Sequence, residues 1–315
     1  MKKHMKNILG LLVMSVVLMG CRAQDEPSNS DDAMNEGAIQ VLTTTTMITD
    51  LVEIIGGEYV EVNGLMGPGI DPHSYRVTPS DITAVEEADV VVYNGMNLEG
   101  QMGEILGELE QMGKAVYNLE EMMDENQMLA SDEEDMAVDP HIWFSVPLWS
   151  EASDYITESL SEYDSEYAET YQENNERYQE NLLALDTYIR ERVEEVPEES
   201  RYLVTAHDAF GYFGEEYDFE VVALQGLNTQ TEAGTGDVSQ LADFIVNREI
   251  KAIFVETSVP AQTIEALQEA VVQRGWEVNI GGELFSDALG DSERDAETYL
   301  KMYKQNIDTI VDALN

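Results

Sequence analysis

Between residues 166 and 195 the chain carries one apolar stripe. Tyr171, Tyr178, Leu182, Leu185, Ile189 and Val193 step by three, four or seven, while Glu and Gln fill the other faces. This spacing predicts a single long amphipathic helix, stopped by Pro197. About 28 residues at 1.5 Å each make a rod of roughly 40 Å, long for a crossover inside one sheet and suited to joining two lobes.

Both flanks of the rod share one rhythm. Before it, AIQVLTTT reads as a strand, MITDLVEIIGG as a helix closed by glycine, YVEVNGLM as a strand, PSDITAVEEA as a helix, and DVVVYNG and KAVYNL as strands. After it, RYLVTAH, EVVALQG, KAIFVET and WEVNIGG read as strands. VSQLADFIVNREI and TIEALQEAVVQRG are the helices between them, and DAETYLKMYKQNIDTIVDAL closes the chain as an amphipathic helix. Continuous apolar runs alternating with helices imply parallel sheets covered on both faces. The expected fold is α/β, with two lobes, each a mostly parallel sheet flanked by helices, joined by one long connecting helix. The expected boundaries are 38–165 for the N-terminal lobe, 166–196 for the connector and 197–315 for the C-terminal lobe. The stretch 120–138 has no clear period and reads as an acidic, Met-containing loop.

Residues 1–20 stand apart. A basic MKKHMKN precedes the apolar run ILGLLVMSVVLMG, the pattern of a signal peptide. Leu18-Met19-Gly20-Cys21 has the form of a bacterial lipobox, and Cys21 is the chain's only cysteine. Lipidation at Cys21 is therefore expected, and no disulfide. Acyl chains add about 0.8 kcal/mol per buried methylene, enough to hold the chain at a membrane surface. Residues 21–37 form an acidic tether without hydrophobic period. The expected location is extracytoplasmic, on the outer face of the cell membrane or its periplasmic side.

Charge excludes one class of partner. With 16 Lys and Arg against 64 Asp and Glu, the net charge is −48, and phosphate backbones need a basic footprint. The acids are spread along the whole chain, so they read as solvation for a salty or alkaline exterior rather than as local steering.

Histidine is scarce and placed. Of four, His4 falls in the leader; His73, His141 and His207 each sit at or just beyond the carboxyl end of a predicted strand or in the following loop. The first two end a repeated Asp-Pro-His, at 71–73 and 139–141, in which Pro72 and Pro140 stiffen the loop. One such histidine alone would read as a surface or capping residue. Three at the level where open parallel sheets bind ligands read as metal donors. A fourth donor is expected from GGELFSDALGD, which offers Glu283, Asp287 and Asp291. Asp287, two residues past the apolar pair Leu284-Phe285, is placed to point inward. Asp71, Asp139, Asp208 and Glu256 are candidates to accept the second ring N–H of an imidazole, with turn or capping roles as the alternative.

Three nitrogens and a carboxylate suit tetrahedral Zn²⁺; Mn²⁺ binds the same donors more weakly and favours more oxygen, with Fe²⁺ a third candidate. Catalytic zinc usually keeps an open position, which a fourth protein ligand fills, and the chain has no H-E-x-x-H motif or nucleophile signature. A metallohydrolase is thus the weaker reading. A surface adhesin or interaction lipoprotein fits the anchor and the acidity, but no sequence feature selects a partner for it.

The phrases GPGIDPHSY, TPSDITAVEEADVVVYNG, DPHIWF, TAHDAFGYFGEEYDFEVVALQG, IFVETS and GGELFSDALG together resemble the TroA-like metal-binding lipoproteins, solute-binding subunits of zinc and manganese ABC importers (cluster A-I). The resemblance runs from about residue 38 to the C-terminus. It implies one Zn²⁺ or Mn²⁺ per chain, held by His73 and His141 from one lobe and His207 and Asp287 from the other. It also implies a monomer that delivers the ion to an ABC permease. Some relatives have Glu where this chain has His207. Zinc importers of the family often carry a His-rich acidic loop before the second ligand; here 120–138 is acidic but lacks histidine, which weakens the case for a dedicated zinc scavenger.

Overall fold

The computed structural model describes residues 37–133 and 136–315. The expected leader, Cys21 and the tether as far as residue 36 lie outside the described residues.

The N-terminal half is built on β1 (Ile39–Thr43), α1 (Thr46–Gly56), β2 (Val60–Gly64), α2 (Pro79–Glu87), β3 (Val90–Tyr93), α3 (Gln101–Gln111) and β4 (Ala115–Asn118). The four strands form a parallel sheet in the order β2-β1-β3-β4. Register is set by the apolar runs: Val41 lies opposite Val62 on one side and Val90 on the other, and all four residues of β3 are buried. Thr78 and Asp81 cap α2 reciprocally, with Pro79 opening its first turn.

Within the stretch read as a loop, β5 (Ala130–Glu133) and β6 (Met136–Val138) make a short antiparallel ribbon. Its acidic, Met-rich sequence has little strand propensity; burial of Met136 and the bond from Asp139 N to Leu129 O (2.8 Å) hold it instead. α4 (Val146–Tyr163) and α5 (Ala168–Val193) follow.

The C-terminal half contains β7 (Tyr202–Thr205), α6 (Gly211–Tyr217), β8 (Glu220–Ala223), α7 (Thr235–Arg248), β9 (Ala252–Glu256), α8 (Gln262–Gln273), β10 (Asn279–Leu284) and α9 (Tyr299–Leu314). β7 pairs in parallel with β8 and β9 with β10, while β7 runs beside β9. The expected α/β fold with helix-flanked parallel sheets is thus present, and α5 links its halves.

That link is not a bare rod. The stripe Tyr171, Tyr178, Leu182, Leu185, Ile189 and Val193 is buried, and α5 packs against α1 and α4 from one half and α9 from the other. One continuous core runs from Ile39 to Leu314 through all four helices, with smaller cores in each half. At roughly 1.5–3 kcal/mol per fully buried large apolar side chain, this shared core is a strong brake on separating the halves. Polar contacts add to it: Asp50 of α1 accepts from Tyr299 N at the start of α9 (2.9 Å), and Arg192 of α5 pairs with Asp308 and Asp312 of α9.

Candidate metal centre

Three of the four donors follow a strand by two or three residues, and the fourth lies in a longer loop. His73 lies in the loop between β2 and α2, His141 three residues past β6, His207 two past β7 and Asp287 three past β10. The loops that follow β2, β6, β7 and β10 thus converge at one place. All four residues are buried, and one donor atom from each lies within 4.8 Å of every other.

His73 Nε2 and His141 Nε2 are 3.3 Å apart. Asp287 closes the ring, with Oδ1 at 3.5 Å from His141 Nε2 and Oδ2 at 3.3 Å from His207 Nε2. Among the described residues, no donor in good hydrogen-bonding geometry reaches either oxygen of Asp287, although its side chain is fully buried. A buried, unsatisfied carboxylate is costly unless a cation meets it. Three imidazole nitrogens and this carboxylate form a donor set for a divalent metal ion.

The supporting carboxylates divide sharply. Asp139 Oδ1 accepts from both His141 N (2.9 Å) and His141 Nδ1 (2.7 Å), which turns Nε2 toward the centre. Glu256 serves His207 through the backbone: Oε1 accepts from Ala206 N (2.8 Å) and His207 N (3.0 Å), while Oε2 lies 2.5 Å from ring Nδ1. Asp71 accepts from His73 N (2.9 Å) and from Ser74 and Thr229 hydroxyls, holding the loop rather than the ring. Asp208 lies outside the cluster; its N donates to Gly226 O and it borders a separate groove with Leu129 and Gly211.

Burial and charge set the protonation of the metal-free site. Burial lowers the His73 pKa to about 3, with Asp287 opposing. Burial also disfavours charge on His141, but Asp139 and Asp287 outweigh it and raise the pKa to about 9. For His207, Asp287 and Glu256 overcome burial and raise it well above the ordinary value. Burial would raise Asp287, yet His207 and His141 hold it well below the carboxylate range. Two protonated imidazoles carry the charge of one divalent cation, so metal can replace protons without changing the charge of the site.

Several residues around the site carry no sequence signal of their own. Trp143 packs edge-on to His141 and donates from Nε1 to Ser286 O (2.9 Å), bridging the His141 and Asp287 loops. Tyr212 donates to Asp139 O (3.1 Å). Gly211 permits the close approach there, since a Cβ would sit 2.5 Å from Asp139 Oδ2. Buried Glu99 accepts from Asn94 N, Gly95 N and Thr44, and Asn94 in turn donates to Pro140 O (3.0 Å), just before His141.

A two-lobed α/β chain with a buried three-histidine, one-carboxylate cluster where its strand ends meet belongs to the metal-binding solute-binding proteins. Residues 41–313 match the model of the family described as zinc-uptake complex component A, periplasmic (ZnuA), and the chain belongs to that family, one of uptake components rather than enzymes. It is 40% identical over 304 residues to the manganese-binding lipoprotein MntA of Bacillus subtilis, covering 96% of this chain and 97% of that one. It is 44% identical over 285 residues to the zinc-binding protein TroA of Treponema pallidum, covering 90% and 92%. The solved structure of periplasmic zinc-binding TroA from that organism superposes with a TM-score of 0.85 over 88% of this chain and 99% of that one.

Proposed function

We propose that this chain is an extracytoplasmic solute-binding lipoprotein that captures one Zn²⁺ or Mn²⁺ with His73, His141, His207 and Asp287 and delivers it to an ABC permease. The observation that carries the reading is the buried Asp287 carboxylate, whose oxygens face ring nitrogens of His141 and His207 at 3.5 and 3.3 Å within a cluster of four donors that all lie within 4.8 Å of one another. Its two oxygens face different histidines, which supports a two-oxygen bite and a five-donor shell acceptable to Mn²⁺ as well as Zn²⁺. One relative is named for manganese and another for zinc, in keeping with both. Zn²⁺ is the tighter ligand in vitro by the Irving–Williams order.

In this reading the halves 38–165 and 197–315 tilt about the 166–196 helix, and the core they share restricts that motion to a small rocking. Cys21 carries the lipid and the chain acts as a monomer. No helix among the described residues is long and apolar enough to cross a membrane.

Elemental analysis of the purified protein, with melting curves before and after metal loading, tests the reading. It expects one ion per chain and a melting temperature that rises with metal. A stoichiometry near zero, or a melting temperature indifferent to Zn²⁺ and Mn²⁺, overturns it.

A further inference from the structure

The two Asp-Pro-His loops are both held from the C-terminal half, but by joints of opposite character. The His141 joint is dry. Tyr212, Trp143, Asp139 and Ser286 are all buried, and the hydrogen bonds Tyr212 to Asp139 O and Trp143 to Ser286 O are sealed within or beside the shared core. The His73 joint lies at the rim. Thr229 Oγ1 donates to Asp71 Oδ2 (2.7 Å), and Gln230 Nε2 donates to the carbonyl of His73 itself (2.7 Å). Thr229 and Asp71 are half-buried and Gln230 is exposed. Both residues belong to the segment between β8 and α7, which carries Gly226 and Gly234, and they meet the segment between β2 and α2, which carries Gly67 and Gly69.

Position within the site sharpens the contrast. Asp139 is bonded to the ring of His141 and Glu256 lies against the ring of His207, each from a residue close to its own strand end. Asp71 reaches only the backbone N of His73, and its second oxygen is given to Ser74 and, across the cleft, to Thr229. His73 is therefore the donor whose loop is tied to the other half by rim hydrogen bonds rather than by buried ones.

We infer that Thr229 and Gln230 are positioning residues for His73: they form a latch at the rim of the cleft, and its opening sets the rate at which the ion leaves. The inference rests on the metal-binding role proposed above. Water reaches these part-buried hydrogen bonds more readily than the buried pair at His141, so the latch is the joint that opens first, while the buried joint serves as the pivot. The latch contributes to retention of the ion, not to choice of donors, because neither residue belongs to the four-donor cluster.

Release from the loaded full-length protein tests this, by mixing Zn²⁺- or Co²⁺-loaded protein with excess chelator in a stopped-flow instrument. Thr229→Val keeps the shape and removes the donor. Loss of one hydrogen bond to a charged oxygen should speed release about tenfold, and Gln230→Ala several-fold. Thr229→Ser should restore the parent rate. All variants should still bind one ion per chain, and their metal-free melting temperatures should match the parent. If Thr229→Val and Gln230→Ala bind one ion and release it at the parent rate, the latch is overturned while the metal site stands. Metal-free melting temperatures that fall as far as the loaded ones also overturn it, since the contacts would then be merely structural. A parent protein that binds no ion overturns the metal-binding role, and the latch with it.

Discussion

Asp71 and Asp139 hold equivalent places in the two Asp-Pro-His repeats, yet only Asp139 touches its histidine ring. Asp139→Asn should therefore weaken Zn²⁺ binding by about 10- to 100-fold, measured by chelator competition, because a neutral amide oxygen accepts more weakly from Nδ1–H and no longer raises the basicity of the ring. An unchanged affinity would reduce Asp139 to a turn residue. Protonation gives a second test. The folded-state pKa of His141 is raised to about 9 and that of His207 lies well above its ordinary value. Charged histidines so stabilised support the metal-free fold fully below about pH 6.5 and lose that support as pH rises through about 9. Metal-free protein should thus lose stability over this window, whereas loaded protein, which has already given up those protons, should not. Near neutral pH, binding should release about two protons, read from titration calorimetry in buffers of different ionisation enthalpy. Proton release near zero would contradict the charges assigned to both rings. The three histidines were legible in the sequence because histidine is so scarce, whereas Asp287, one of 64 acidic residues, was singled out only by its place after the apolar pair Leu284-Phe285. Trp143, Tyr212, Thr229 and Gln230 were not, because hydrogen bonds between loops 70 or more residues apart, such as Tyr212 to Asp139 and Gln230 to His73, leave no periodicity.

Among the elements, α5 was readable almost to its ends: a stripe expected over 166–195 is a helix over Ala168–Val193. The strong signal reflects what the stripe does, since every residue on it packs against α1, α4 or α9 or their neighbours. α3 and α6 were not foreseen from the sequence. The first carries Gly103 and Gly107, and the second is only seven residues long with Gly211 and Gly214. What no pattern announces is how α1 meets α9. Asp50 is buried at this joint, where burial raises its pKa to about 7 despite the hydrogen bond from Tyr299 N. A carboxyl group whose pKa is raised on folding gives its full stability below about pH 4 and loses it as pH rises through about 7. Asp50→Asn keeps an acceptor for Tyr299 N without the buried charge. In metal-free protein it should be more stable than the parent at pH 8, by on the order of 1–4 kcal/mol, with the advantage fading toward pH 4. Chemical denaturation at both pH values measures it, and a difference independent of pH would show that Asp50 is uncharged or solvated throughout.

For the whole molecule the dominant quantity is the net charge of −48, with 64 acidic residues against 16 basic ones. Most carboxylates can have no cationic partner, whatever the fold. Some of the basic residues tie helices together: Arg190 of α5 pairs with Asp186 and with Glu216 of α6, and Arg192 of α5 with Glu195 and with Asp308 and Asp312 of α9. Salt acts on these two populations in opposite senses. It weakens the few exposed pairs, each worth about 0–1 kcal/mol, and it screens a repulsion spread over the whole surface. Between about 0.01 M and 1 M salt the Debye length falls from roughly 30 Å to roughly 3 Å, shorter than the spacing of most surface charges. Repulsion should win, so the metal-free protein should melt at a higher temperature in 1 M NaCl than in 10 mM NaCl. The association rate for Zn²⁺ should fall over the same range, because the acidic surface attracts cations only when unscreened. A melting temperature that drops with salt would mean the Arg-centred pairs outweigh the surface repulsion. An on-rate indifferent to salt would mean the acids do nothing to gather the ion and serve the folded surface alone.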